Sequence, residues 1–461
     1  MTNKNPLIAS DLQHLIASGD SQAIAEYCAT AHPAVIAEGL SALEPAEVWA
    51  VLRHTPSPQR SEIFSHLDED LQVEVIRTLR REEMARLLSD MPPDDRVDLF
   101  KRMPEELQES VLPALAQAER EDIRRLAAYK EGTAGAVMTS DYATLSPDLT
   151  AAQAIERLRE VAPDKETIYY AYVVDAQRRL LGFVSLRDLI LARRDAKIRD
   201  IMHRDVIFAR VDDDQEDAAR IIQKYDLIAL PVVNGGDALV GIITHDDAID
   251  IITQEHTEDM EKLMAIAGSH EAGVYLKTPA WVHFRNRAYW IVGLAALGLV
   301  SGLIIHSFED ALTKLLILAL YMPMVADTGG NTGSQAATVV VRALALREVS
   351  PRDTFRVLWK EFNVAILLAV VLGILSWAKV MFLSRGSEIP AGYSLAKIGA
   401  AIAVALGLQV VTATLIGALL PLAAAKMKLD PAVVASPALT TIVDITGLMI
   451  YFSTAKMLLG I

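Results

Sequence analysis

The sequence holds a single cysteine, Cys28, in 461 residues, so no internal disulfide can staple it and no cysteine-rich zinc site can form. Basic charge is short: 44 Lys+Arg face 59 Asp+Glu, a net −15, which excludes a broad nucleic-acid-binding surface. No cluster of His and Cys argues for a soft metal. The start, MTNKNPLIASDLQHL, lacks a continuous apolar run, so no cleavable secretion signal is expected. What the chain has is apolar bulk, 52% by the AVILMFWYC count, too much for a disordered or fibrous protein. At roughly 150 residues per domain, about three domains are expected.

The average hides a division. Residues 1–273 carry 50 acidic and 29 basic side chains, whereas 274–461 carry 9 and 15. Residues 288–305 contain no charge, enough to cross hydrocarbon about 30 Å thick with help from the flanks. Further runs at 315–341, 362–383, 398–425 and 432–455 make five expected spans, and a soluble enzyme rarely has 28 uncharged residues such as 398–425. With the acidic half in the cytosol, the inner flanks hold Lys277, Arg285, Arg287, Arg342, Arg347, Arg352, Arg356, Lys360, Lys426 and Lys428. The outer flanks hold only Lys314, Lys379, Arg385, Lys397 and Lys456, in keeping with the positive-inside rule. The expectation is a multi-pass protein of a bacterial inner (plasma) membrane, with its N-terminus cytoplasmic and its C-terminus outside.

Two repeats organise the acidic half. Residues 49–79 match 85–115 at a constant offset of 36, pairing Leu52 with Leu88, Pro56 with Pro92, Arg60 with Arg96, Phe64 with Phe100 and Gln72 with Gln108. Leucines at helical spacing with prolines at helix starts predict a short α-helical solenoid over 1–132. A tetratricopeptide-type array has a different period and signature. Further on, YAYVVD…LLGFVSLRDLI recurs as ALPVVN…LVGIITHDDAI, each a strand, a turn, a second strand and a helix start. These α/β units, 133–200 and 201–254, resemble a tandem of cystathionine-β-synthase (CBS) motifs, a regulatory module that commonly binds adenine nucleotides or ions. Tyr170, Arg187 and Asp188 fall where such modules hold nucleotide, which implies ATP as a candidate ligand; they read equally as ordinary surface polar residues.

Acidic side chains crowd the second unit. One group is Asp212, Asp213, Asp214, Glu216 and Asp217; another runs from Asp246, Asp247 and Asp250 to Glu255, Glu258, Asp259 and Glu261. Asp247 and Asp250 share a helix face, as do Glu255 and Glu258, and Asp94 and Asp98 do so in the solenoid. Two unit charges ~6 Å apart repel by roughly 3 kcal/mol at an effective dielectric near 20. A hard divalent cation, Mg²⁺ above all, bridges such oxygens through retained water. Plain solvation of an acidic face is the simpler alternative. Against it, the run leads into a connecting helix, 255–284, that feeds the all-α membrane domain, 285–461.

Two carboxylates fall at membrane depth, where they are costly and usually functional. Asp327 stands in MPMVADTGGNTGSQAAT with Asn331, and Asp444 in TTIVDITG, preceded by Ser436, Thr440 and Thr441. Close helix packing explains the glycines but not a carboxylate. Hydroxyls a helical turn apart below an acid suit a cation that keeps most of its water.

In this order of parts, with TGGNTGSQ and DPAVVASPALTTIVDITGLMIYF, the chain resembles the MgtE family of magnesium channels over nearly its full length. The resemblance implies a homodimer with one pore on the symmetry axis, lined by the second and fifth spans. It implies Asp444 as the pore carboxylate, with Thr440 and Ser436 inward of it; family members often have asparagine where Ser436 stands. It implies regulatory Mg²⁺ sites at Glu62, Asp94 and Asp98 and at Asp214, Glu216, Asp226, Asp247, Asp250, Glu255, Glu258 and Asp259, with Asp430 as their membrane-side partner. Leu227 stands where an aromatic would stack on a nucleotide. The expected function is a Mg²⁺-selective channel, not an enzyme, closed by cytosolic Mg²⁺. The alternatives are a proton-coupled divalent cation carrier using Asp327 and Asp444, and a nucleotide-reading membrane sensor without transport.

Overall fold

A computed structural model describes residues 12–16, 20–264, 266, 278–432 and 437–461. The chain divides into two compact units, Met1–Glu255 and His256–Ile461.

The first unit opens with short helices: α1 (12–16), α2 (Ser21–Thr30), α3 (Pro33–Leu40), α4 (Pro45–Leu52), α5 (Ser57–Ser65), α6 (Glu69–Thr78), α7 (Arg81–Asp90), α8 (Pro93–Arg102), α9 (Glu105–Val111) and α10 (Gln117–Leu126). Proline in the first turn of α3, α4, α5 and α8 sets where each begins, since its missing N–H is an orphan there anyway. The offset of 36 maps α4–α6 onto α7–α9, and the matched residues do matched jobs. Arg60 Nε donates to Leu52 O at 2.9 Å and Nη2 to Thr55 O at 2.8 Å; Arg96 donates to Leu88 O at 2.6 Å and Met91 O at 2.7 Å. Each guanidinium thus adds a side-chain donor to carbonyls at and just past the end of the preceding helix. Gln72 Nε2 does the same for Phe64 O and Leu67 O, and Gln108 Nε2 for Met103 O.

Two three-stranded sheets follow, built alike. In the first, β1 (Tyr142–Leu145) runs parallel to β2 (Thr167–Val174), which pairs antiparallel with β3 (Leu180–Ser185), with α11 (Ala151–Val161) as the crossover. After α12 (Leu186–Leu191) and α13 (Ile198–Ile201) comes the second, with β4 (Ala209–Arg210), α14 (Gln215–Tyr225), β5 (Ala229–Val233), β6 (Leu239–Thr244) and α15 (His245–Leu263). The sequence pairing of strand, turn, strand and helix start was legible; the leading strands β1 and β4, four and two residues long, were not. The halves interlock: Tyr142 donates its hydroxyl to Leu239 O at 3.0 Å and Tyr172 to Ala229 O at 3.3 Å. One apolar core runs from the helices into the second sheet, joining Val97 and Leu99 to Ala209, Leu230, Ile243 and Ile251.

The second unit holds the end of α15 and then α16 (Ala280–Ser307), α17 (Glu309–Lys314), α18 (Ile317–Ala345), α19 (Thr354–Leu383), α20 (Leu395–Lys426) and α21 (Pro437–Leu459). Of the connecting helix expected over 255–284, α15 supplies 255–263 and α16 supplies 280–284, while 265 and 267–277 lie outside the described residues. Among the described residues four segments are long and apolar enough to cross a membrane, containing α16, α19, α20 and most of α21. The sequence reading counted a fifth, α18; its 29 residues suffice in length, but the run DTGGNTGSQ dilutes its hydropathy. α18, α20 and α21 pack on one another, whereas the most apolar stretch of α16 has no fully buried residue within the chain.

Candidate functional site

The helical array and the second CBS-like half enclose an acidic cleft of about 210 Å³. Asp94, Asp95 and Asp98 enter it from the first turns of α8, where the N-terminal end of a helix favours negative charge. Asp247, Asp250 and Gln254 enter from α15. Burial pushes the Asp94 carboxyl well above its usual range, and Asp247, Asp95 and Glu166 push it further. Asp95 and Asp98 are also raised by burial, the second against the pull of Arg102. Asp247 rises to about 6 through burial, although Thr244 Oγ1 donates to it at 2.5 Å, and Asp250 rises through burial and Asp246. Glu166, outside the lining, is pushed up to about 7 by desolvation and by Asp247, Asp246, Asp95 and Asp141. Asp94 Oδ1 is buried and has no hydrogen-bond partner among the described residues.

These oxygens fit a hard cation in chemistry, and an orphaned buried carboxylate oxygen is where positive charge is wanted. No group of three or more His, Cys, Asp or Glu among the described residues is placed to ligate a metal directly. Mg²⁺ gives up its water reluctantly, so an ion held here would be reached through its hydration shell.

The other acids from the sequence are scattered. Glu62 is exposed on α5 and does not line the cleft. Asp214 caps α14 by accepting from Glu216 N at 2.9 Å, Glu216 pairs with Arg220, and Asp226 ends α14 in the left-handed region at φ 51°. Gln215 Nε2 donates to Glu255 at 2.7 Å, which ties α14 to α15. Glu258, Asp259 and Asp430 belong to the second unit. There Lys262 Nζ lies 2.7 Å from Glu258 Oε1 and 2.9 Å from Asp430 Oδ2, so a side chain of the protein itself supplies the bridging cation. Burial and Asp430 raise Asp259.

In the membrane unit, α18 and α21 meet through glycine. A Cβ on Gly330 would lie 3.5 Å from Thr440 Cγ2, and one on Gly333 would lie 3.1 Å from Ala413 O of α20. Gly417 of α20 faces the backbone carbonyl of Gly333 so closely that no larger residue fits. Asn331 Nδ2 donates to Asp327 Oδ2 at 3.3 Å, one turn away on α18. Asp327 and Asn331 are exposed on the single chain, while Asp444 and Thr440 are half-buried on α21. Ser436 lies outside the described residues. Sequence reasoning passed over Gln409: fully buried in α20, it donates Nε2 to Val443 O at 2.9 Å, beside Asp444, and fits only because Gly329 and Gly447 leave room. A lone amide in an uncharged run of 28 was the signal.

In the first CBS-like half, Tyr170 packs edge-on against Phe183 at 5.4 Å, and His203 stacks on the same ring at 5.1 Å. Asp188 caps α12 with Ser185 and lies 3.1 Å from His203 Nε2. Though partly desolvated, its carboxyl is held below the usual range by Ser185 and His203. Arg187 is exposed. An aromatic ledge beside an acid is thus present, and His203 and Phe183 join the three residues read from the sequence.

Apolar helices long enough for a bilayer, joined in one chain to a helical array with an acidic cleft and to a paired α/β module, define the class as a membrane protein with a large water-facing half. Comparison with known proteins agrees. Residues 322–454 match the MgtE family described as divalent cation transporter, 31–132 the MgtE intracellular N domain, and 134–195 and 198–254 the CBS domain. The magnesium transporter MgtE of Thermus thermophilus is 36% identical over 98% of both chains, and that of Bacillus subtilis 36% identical over 74% of this chain and 73% of its own. The soluble part of a magnesium transporter aligns at TM-score 0.52 with 31% identity, covering 54% of this chain and 98% of its own. The cytosolic domain of the Mg²⁺ channel MgtE in complex with ATP aligns at 0.50 with 36% identity, covering 53% and 99%. The chain belongs to the MgtE family of magnesium transporters.

Proposed function

We propose that the protein is a homodimeric, Mg²⁺-selective channel of the bacterial plasma membrane, closed when cytosolic Mg²⁺ is high. The observation that carries the regulatory half of this reading is the acidic cleft, where several carboxyls are held above their normal range and one buried oxygen has no hydrogen-bond partner among the described residues. Repulsion across it opposes closure of α15 on the helical array; a hydrated divalent ion removes that repulsion. Asp94, Asp98, Asp247 and Asp250 are the residues expected to share the ion there. Glu62, Asp214, Glu216, Asp226, Glu255, Glu258, Asp259 and Asp430 are assigned to further sites, the last three centred on Lys262.

For the pore, the reading takes five spans with α18 as the second and α21 as the fifth. Asp444 is the carboxylate that recognises the hydrated ion, with Thr440, Ser436 and Asn331 as polar wall and Asp327 as a second charge. The exposure of Asp327 and Asn331 on one chain supports a pathway completed by a second copy. The N-terminus is assigned to the cytoplasm and the C-terminus to the outside. ATP is proposed as a ligand of the Tyr170, Arg187 and Asp188 ledge, on the aromatic geometry there and on the ATP complex of the related cytosolic domain.

The test is flux in liposomes that contain only this protein. Asp444→Ala should abolish Mg²⁺ entry while dimer and fold persist; normal entry overturns the pore. Saturable exchange driven by a pH gradient, in place of single-channel current, would make it a proton-coupled carrier. Absence of any flux would leave a membrane sensor.

A further inference from the structure

At one end of the membrane unit three helices finish together. Val340 and Leu344 of α18, Val357 and Leu358 of α19, and Ala418 and Leu422 of α20 form one small core, and the 3₁₀ turn Pro351–Asp353 packs on α20. This packing gathers Arg342, Arg352, Arg356, Lys360 and Lys426, all exposed. Arg356 and Lys360, four residues apart, share one face at the start of α19, and Arg352 stands just before them in the 3₁₀ turn. Alongside them run Phe355, 80% exposed, and Trp359, 59% exposed, the indole stacked on Phe362 at 5.8 Å.

Among the described residues the local acids offset these cations only weakly. Asp353 is engaged by Ser350, whose hydroxyl donates to it at 2.7 Å and whose N–H does so at 3.1 Å. Its contact with Arg356 is long, 3.7 Å, and the Arg356 side chain is 88% exposed. Glu348 is exposed and Glu361 half-buried. Large rings beside a cationic stripe that is only weakly paired among the described residues, at the mouth of a segment long and apolar enough to cross a bilayer, suit cations at headgroup level and rings at the edge of the acyl chains.

We propose that the start of α19, with the ends of α18 and α20, is a binding surface for anionic phospholipid headgroups. The cations take the phosphate charge while Phe355 and Trp359 seat against the lipid's glycerol and upper acyl carbons, which a free phosphate cannot offer. The assignment needs α19 to span the membrane and does not depend on which ion is carried.

Full-length protein in phosphatidylcholine micelles is melted with increasing phosphatidylglycerol. The melting midpoint should rise, and R352Q/R356Q/K360Q should need about fivefold or more phosphatidylglycerol for half the rise. Equal requirements overturn the proposal, and so does a full rise with inorganic phosphate alone. If the triple variant does not fold, the unaltered protein supplies the measurement. Quenching of Trp359, taken as the difference from Trp359→Phe, should be stronger with brominated phosphatidylglycerol than with brominated phosphatidylcholine at equal mole fraction; equal quenching overturns it.

Discussion

The two units treat carboxylates in opposite ways. In the acidic cleft, α8 and α15 hold five or more acids against their mutual repulsion, with Arg102 and His66 as weak counterweights, and the fold carries the cost. In the membrane unit acids are few and the economy is steric: Gly329, Gly330, Gly333, Gly417 and Gly447 let α18, α20 and α21 approach until amide and carbonyl meet. A region tuned by charge responds to an ion at long range and gives a little everywhere. A region tuned by contact responds to a methyl group at one place.

The largest effect should come from the contact-tuned side. Gly417→Ala drives a Cβ into the Gly333 carbonyl, which is backbone and cannot rotate away, so we expect a loss of about 3 kcal/mol or failure to assemble. Gly329→Ala meets the Gln409 side chain, which is not backbone but must give up its bond to Val443 O to move, and should cost about 2 kcal/mol. Melting of the detergent-solubilised full chain ranks them; similar losses would show that the glycine seam is looser than described.

On the charge-tuned side the sign reverses, because removing charge should help. Asp94→Asn with Asp247→Asn should raise the melting temperature in chelator and remove most of the extra protection from protease that millimolar Mg²⁺ gives the wild-type chain. The gain should be about 1–2 kcal/mol. A variant less stable in chelator than wild type would mean these carboxylates stabilise the cleft.

The same crowding predicts a pH dependence. Acids raised on folding bind more protons in the folded state, so stability falls as pH rises between the unfolded carboxyl range near 4 and the folded values of about 6 for Asp247 and about 7 for Glu166. In chelator the first unit should melt higher at pH 5.5 than at pH 8, and millimolar Mg²⁺ should narrow the gap. The smallest effect belongs to Lys262→Met. Its ion pairs with Glu258 and Asp430 are partly exposed and screened, so the loss should be about 0.5–1 kcal/mol, read as lower protection of the α15 end in hydrogen exchange.

Periodicity and spacing carried much of this into view beforehand. The offset of 36, the doubled strand–turn–strand and the uncharged runs each name an element, because they repeat what the backbone repeats. The pairs Asp94–Asp98 and Asp247–Asp250 could be placed on shared faces, since helical spacing fixes that. What spacing could not supply is which faces meet: Asp95 lines the cleft, Asp246 and Glu166 come near enough to act on its carboxyls, and Glu62 stays out of its lining. The polar stretch of α18 was read as a span by position, although its composition alone does not qualify it. Lys262 escaped notice because attention to crowded acids hides a cation placed among them.

The arginines at 60 and 96 have a consequence for how such a chain can change in length. Each closes the helix before it from within its own segment. A block of 36 residues therefore brings the stopper for its own first helix, and an extra block could be spliced in, or one excised, with that helix end still capped.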